Sequence, residues 1–162
     1  MLSSSGPFPS YRCALTSAQA RIETLTAEFI GTVPILRSFD ETKAKEFYVE
    51  FLGFKLDWEH RFHPGAPLYM QVSRAGLVLH ISEHHGDGTP GAAVFVETTG
   101  LREFHAEITA KNYRFLHPGI EDAPWNAWCM SVIDPFGNTI RFSERKPGSP
   151  AFPNSARAGR ID

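Results

Sequence analysis

Apolar residues recur along this chain with two periods, and the switches between them predict its elements. Over 14–30, Leu15, Ala18, Ile22, Leu25 and Phe29 fall at alternating steps of three and four, which is one stripe of a helix. Thr16 or Ser17 is placed to cap its start and Gly31 its end. That stripe needs a cover, either its own domain or a partner subunit. A strand is predicted over 32–38. Asp40 then stands as the N-cap of a helix over 41–52 that aligns Ala44, Phe47, Tyr48, Phe51 and Leu52 and ends at Gly53. Strands over 54–61, 68–74 and 77–82 follow, the last two joined by the Ala75-Gly76 turn. The order then restarts. A strand over 92–97 precedes a helix over 101–111 with Leu101, Phe104, His105 and Ile108 inward, and strands over 113–116, 126–133 and 139–143 complete the set. Asp134-Pro135-Phe136-Gly137-Asn138 has the composition of a tight reversal between the last two. The order β-α-β-β-β thus occurs twice, the mark of an internal duplication.

Outside these elements the composition changes. Residues 1–13 are rich in Ser, Pro and Gly, and 146–162 return to loop composition, so both are expected to be tails. The chain divides into 1–31, a flexible start plus the amphipathic helix; 32–145, a domain of modules 32–82 and 92–145; and 146–162. A hydrophobic fraction of 42% with 21% charged residues suits a globular protein, and a net charge of −2 argues against a nucleic-acid partner. No apolar run approaches the roughly 20 residues that span a bilayer. MLSSSGPFPSYRC lacks the pattern of a signal peptide. Cys13 and Cys129 are too few for a disulfide framework and lack CxxC spacing. A cytoplasmic location and no membrane partner are the expectation.

Two strings carry a family resemblance. VPILRSFDETKAKEFYVEFLGF is similar to the opening strand and helix of glyoxalase and bleomycin-resistance proteins, through Asp40, Phe47-Tyr48 and Leu52-Gly53-Phe54. SVIDPFGNTIRFSE resembles their closing hairpin. Together they bracket most of 32–145, and the chain resembles the vicinal-oxygen-chelate superfamily, most of all its bleomycin-resistance branch. The resemblance implies an α+β fold in which two βαβββ modules form a cupped mixed sheet, here with an extra N-terminal helix. It also implies a homodimer whose grooves are walled by both subunits. In the metalloenzymes of that superfamily three strand positions supply metal ligands. Carried over, they fall on Val33, Gly91 and Arg141, none of which can ligate a divalent cation. No metal, no cofactor and no catalytic residue is expected on that basis.

Other chemistry has weak support. His80, His84 and His85 lie near Glu83, but adjacent strand residues point to opposite faces, so a solvated or rim-lining loop is the simpler reading. His60, His63, His105 and His117 show no ligand spacing, and no GxSxG, P-loop or GxGxxG occurs. Cys129, between Trp128 and Met130, reads as an inert buried thiol, and Trp128 as sheet packing.

The drug-binding branch needs aromatic faces to stack on a flat ligand and carboxylates to attract its cationic parts. Pro124-Trp125-Asn126 is similar to that branch's Trp-bearing loop, and Trp58 and Phe62 fall near its other aromatic wall. Asp57 and Glu59, with Glu121 and Asp122, would make an acidic rim; solvated charge is the other reading. Trp58 alternates with Leu56, which equally suits plain core. His80, in mid-strand, reads as pocket wall and Arg141 as a fixed cation in the same cup. The expected function is sequestration of a planar cationic antibiotic without chemistry. Two alternatives stand: a metal-independent enzyme holding a small anion on Arg141 with Glu97, His80 or Tyr69 as acid–base partner, and a binding protein for another planar metabolite.

Overall fold

The structure, a computed structural model, describes residue 27 and residues 29–149. The expected helix over 14–30 therefore lies outside the described residues except at its end, where Ala27, Phe29 and Ile30 have no regular structure and both Phe29 and Ile30 are exposed. Of the expected tail, 150–162 likewise lie outside. Among the described residues no helix is long and apolar enough to cross a membrane.

Val33 and the described residues after it belong to one compact unit. Strand β1 (Ile35–Arg37) leads to helix α1 (Glu41–Lys45), which continues as a π-helical segment (Glu46–Phe51). Strands β2 (Lys55–His60), β3 (Tyr69–Arg74) and β4 (Leu77–Ser82) close the first module. The second holds β5 (Ala93–Glu97), α2 (Leu101–Ala110), β6 (Glu121–Ala123), β7 (Ala127–Ile133) and β8 (Thr139–Arg145). The sheets have the same order, β1-β4-β3-β2 and β5-β8-β7-β6, each with its first pair parallel and the others antiparallel. This is the α+β fold of two βαβββ modules that the duplicated pattern predicts.

Local chemistry explains the boundaries. Asp40 caps α1, its carboxylate accepting from Lys43 N–H at 3.0 Å. The bulky run Phe47-Tyr48-Val49-Glu50-Phe51 then widens the helix, so that Leu52 N–H donates five residues back to Phe47 O at 2.9 Å. Gly53 stops it at φ +71, and a Cβ there would collide with the Arg74 guanidinium. The strand expected over 113–116 does not form. Asn112, at φ 50, turns the chain as α2 ends, and Tyr113 stacks on Phe51 at 4.4 Å instead of entering a ladder. The outer strand is β6, whose polar Glu121-Asp122 gave no apolar alternation to read.

One core serves both modules. Leu36, Met70, Val72, Leu79 and Ile81 from the first sheet join Phe47, Tyr48, Phe51 and Leu52, with Leu101, Ile108, Met130, Val132, Ile140 and Phe142 from the second module. Within it the Asp134 carboxylate accepts four hydrogen bonds. Three come from Phe136 N–H, Asn138 N–H and the Asn138 side-chain amide; the fourth comes from the Tyr48 hydroxyl at 2.7 Å. Asn138 Nδ2 also donates to Arg37 O at 2.7 Å. Burial, then the Asp134 charge, pushes the Tyr48 phenol well above its ordinary range, so Tyr48 keeps its proton and donates it to Asp134. Tyr48→Phe should lower unfolding stability by about 1.5–3 kcal/mol, the range for a hydrogen bond to a charged group. Asn138→Ala should cost at least as much, because it also strands Arg37 O. Urea titrations with unchanged slope are the check.

Candidate functional site

Each sheet turns one face to the core; the far face of the first sheet is open, while on that of the second Ala123, Ala127 and Cys129 form a small buried cluster of their own beside exposed Ser131 and Arg141. On the first sheet the open face is read from register. Ile35 lies beside His80, His80 beside Gln71, and Gln71 beside Trp58, one row across all four strands. The next row pairs Ser82 with Tyr69 and Tyr69 with His60.

A β-bulge decides what this face carries. Strict alternation would put Leu56 with Trp58 and Asp57 with Glu59. Instead the register shifts between Leu56 and Trp58, leaving Asp57 as the extra residue. Leu56 opposes Val72 and packs on the core, whereas Trp58 opposes Gln71 and is 41% exposed. The core reading of Trp58 is thereby replaced by an open-face position. Glu59 is displaced in the opposite sense: it opposes buried Met70 and pairs with Lys45 at 2.7 Å. Glu59 is thus not part of the acidic rim expected beside Asp57. It belongs to an ion network in which Lys45 also pairs with Glu41, and Arg61 with Glu41 and Glu83. Glu41 first, then Glu59, hold the Lys45 ammonium above its usual range.

What remains on the open face is an aromatic and imidazole surface. The Trp58 and Tyr69 rings lie 8° from parallel with centroids 5.9 Å apart, and His80 meets each edge-on at 5.3 Å. Phe62, 76% exposed, stands edge-on to His60 at 5.0 Å and His84 at 5.5 Å, and His84 reaches Tyr69 at 6.3 Å. A polar chain runs beneath: Tyr69 Oη to His80 Nδ1, 2.8 Å; His80 Nε2 to Gln71 Oε1, 3.0 Å; Gln71 Nε2 to Asp57 Oδ2, 3.0 Å. The Gln71 hydrogen bond, then Ser73 and Lys55, hold the Asp57 carboxyl below the usual range. Burial and the negative Asp87 push the Tyr69 phenol up. The sequence reading missed Gln71, although its two-residue spacing from Tyr69 along β3 would have put both on this face.

The second sheet presents different chemistry. Arg141 lies between Phe95 and Ser131, with Nε donating to Ser131 Oγ at 3.4 Å. Glu97, weighed as an acid–base partner, is engaged with Arg145 at 2.9 Å, and His80 and Tyr69 lie on the other sheet. Trp125 occupies the tip of the β6–β7 hairpin and is 51% exposed. Asn126 supplies the positive φ of 60 that this three-residue loop needs, and its N–H donates to Ala123 O at 3.2 Å. Ser149 and Lys146 brace that residue from the end of β8. Asp122 is paired with Lys146. Trp128 packs against the core, with Arg102 over its ring at 4.8 Å. The structure thus brings Trp58, Phe62, Asp57 and His80 together, and carries Trp125 and Arg141 on the second sheet.

At the three positions where the resemblance would place metal ligands, the side chains present do not suit a metal ion. Val33 and Gly91 have no donor side chain, Gly91 sits at φ +89, and Arg141 is a guanidinium on the open face. Among the described residues no three His, Cys, Asp or Glu side chains converge as a metal site.

Comparison with known proteins accords with this fold. A bleomycin-binding protein complexed with bleomycin superposes with a TM-score of 0.56 at 21% identity, covering 73% of this chain and 100% of that one. The bleomycin-binding protein of bleomycin-producing Streptomyces verticillus, complexed with copper(II)-bleomycin, gives 0.55 at 27% identity over 74% and 99%. A glyoxalase-related enzyme from Clostridium phytofermentans gives 0.60 at 17% identity over 75% and 99%. By sequence, the mitochondrial long-chain specific acyl-CoA dehydrogenase of Rattus norvegicus is 28% identical over 122 residues, 70% of this chain. The chain spans only 28% of that relative's length. The family model described as "Glyoxalase superfamily protein" matches residues 18–149, and the chain belongs to that superfamily.

Proposed function

We propose that this protein is a bleomycin-resistance-like binding protein, which sequesters a planar cationic antibiotic of the bleomycin class without chemical change. The observation that carries the reading is the exposed Trp58 ring lying parallel to Tyr69, directly beside the Asp57 carboxylate. A flat cationic ligand needs that combination: a π surface to cover its rings and a carboxylate at the edge, one that Lys55, paired with it at 3.2 Å, yields to the ligand. Phe62 and His80 extend the same wall. Solved relatives of this fold that hold bleomycin support the choice of drug.

Trp125 and Arg141 belong to the other sheet, so a second copy of the chain is the natural source of the opposing wall. The protein then works as a two-fold dimer with two equivalent grooves. Trp125 is the aromatic anchor of that wall, and Arg141 meets acceptor groups of the ligand. In this reading the protein is cytoplasmic and needs no cofactor, metal, nucleic acid or membrane.

Two measurements test it. A bleomycin-class drug should quench tryptophan fluorescence, saturate at one ligand per groove, and be recovered unchanged. Trp125→Ala should weaken binding by about 2–4 kcal/mol, roughly 30- to 1,000-fold, as for an anchor that dominates an interface. Trp128→Ala should instead lower stability, by about 3–5 kcal/mol at most for a large core aromatic. A folded protein that ignores the drug at high micromolar concentration, or a Trp125→Ala variant that binds like the parent, would sink the idea. Sedimentation equilibrium at micromolar concentration should give twice the mass of one chain; a monomer mass would remove the shared groove.

A further inference from the structure

The chain of hydrogen bonds under the aromatic surface has a polarity, and that polarity is set from one end. Asp57 is a carboxylate and can only accept. Gln71 must therefore turn its amide nitrogen toward Asp57, which points its carbonyl oxygen at His80 Nε2. A carbonyl oxygen also only accepts, so His80 carries its proton on Nε2. With one proton on the ring, Nδ1 is left as the acceptor, 2.8 Å from the Tyr69 hydroxyl, which donates to it. Tyr69 has then committed its single proton inside the protein, and only oxygen lone pairs remain for anything lying on the surface.

We infer that Tyr69 and His80 determine specificity on this face: it takes a planar ligand that brings its own N–H or O–H donor to the Tyr69 oxygen and discriminates against a ligand of the same outline that brings an acceptor. Gln71 is the positioning residue. This inference rests on the reading of the Trp58–Tyr69 face as the floor of a ligand site. Reversing the chain to serve an acceptor would turn the Gln71 carbonyl onto the Asp57 carboxylate, two acceptors in contact. An acceptor brought to Tyr69 would otherwise meet lone pairs and lose its hydrogen bond to water. Asp87, whose negative charge is felt at Tyr69, favours a donor that is also cationic.

The test uses the full chain and two probes of the same flat tricyclic shape, carbazole with its N–H and dibenzofuran with an ether oxygen in that place. Long-range proton–nitrogen NMR of the imidazoles should find His80 as the Nε2–H tautomer in the absence of any ligand. Carbazole should bind about fivefold more tightly than dibenzofuran, the size of one net hydrogen bond. Tyr69→Phe should keep both probes on the surface and abolish the preference. Gln71→Leu should leave the stack intact, turn His80 into a mixture of tautomers and narrow the preference. An Nδ1–H tautomer in the parent, equal affinity for the two probes, or binding of neither overturns the inference. Failure of the drug-binding proposal looks different. There the bleomycin-class drug is ignored while carbazole is still preferred, which leaves the donor rule standing.

Discussion

The structure depends most on the buried Asp134 carboxylate. A charge removed from water must find donors in place, and Asp134 finds them in two modules at once. Its own turn supplies the backbone N–H groups of Phe136 and Asn138 and the Asn138 amide, while the first helix supplies the Tyr48 hydroxyl. Asn138 then reaches Arg37 O on β1. The last hairpin of the second module is thereby fixed to the first helix and strand of the first. Phe136, resting edge-on against Phe39, covers the same joint. The relation between the two sheets is thus specified by directional bonds, where apolar packing alone would permit sliding.

A second joint works from the opposite end of the helix. The last carbonyls of the π-helical segment lie at the negative end of a helix and attract cations. Arg74 donates to Leu52 O, and Lys111 to Glu50 O and Phe51 O. Glu107 holds the Arg74 guanidinium in place, and each shifts the other: Arg74 draws the Glu107 carboxyl down, while Glu107 raises Arg74. Because Lys111 and Glu107 come from the second module, this cap is also an inter-module tie.

Much of this was legible in the residues. The duplication, both helices, the β3–β4 hairpin and the Asp134-Pro135-Phe136-Gly137-Asn138 turn follow from apolar period and turn composition. The strand expected at 113–116 failed because Tyr113 is apolar for a different purpose, stacking on Phe51 from a turn. β6 escaped notice because an edge strand needs no apolar alternation. In the candidate site, Asp57, Trp58, Phe62 and His80 lie on or beside one face of the first sheet, whereas Glu59, expected in an acidic rim with Asp57, is turned toward Lys45. The reason is the bulge, a backbone feature that residue identities in β2 do not announce. Gln71 was missed because an uncharged amide draws no attention until its partners at both ends are known.

The bulge has a further consequence for how this protein can vary. In a regular strand, gaining or losing one residue inverts every side chain beyond it, and the fold resists the change. At Asp57 the ladder already accommodates one residue more than its partner requires, with Leu56 and Trp58 settled on opposite faces. A one-residue change of length at that point can therefore be taken up locally, exchanging which of Trp58 and its neighbours looks outward while β3 and β4 stay as they are. The composition of the open face is thus adjustable by insertion and deletion as well as by substitution, at one place along β2 and without disturbing the core.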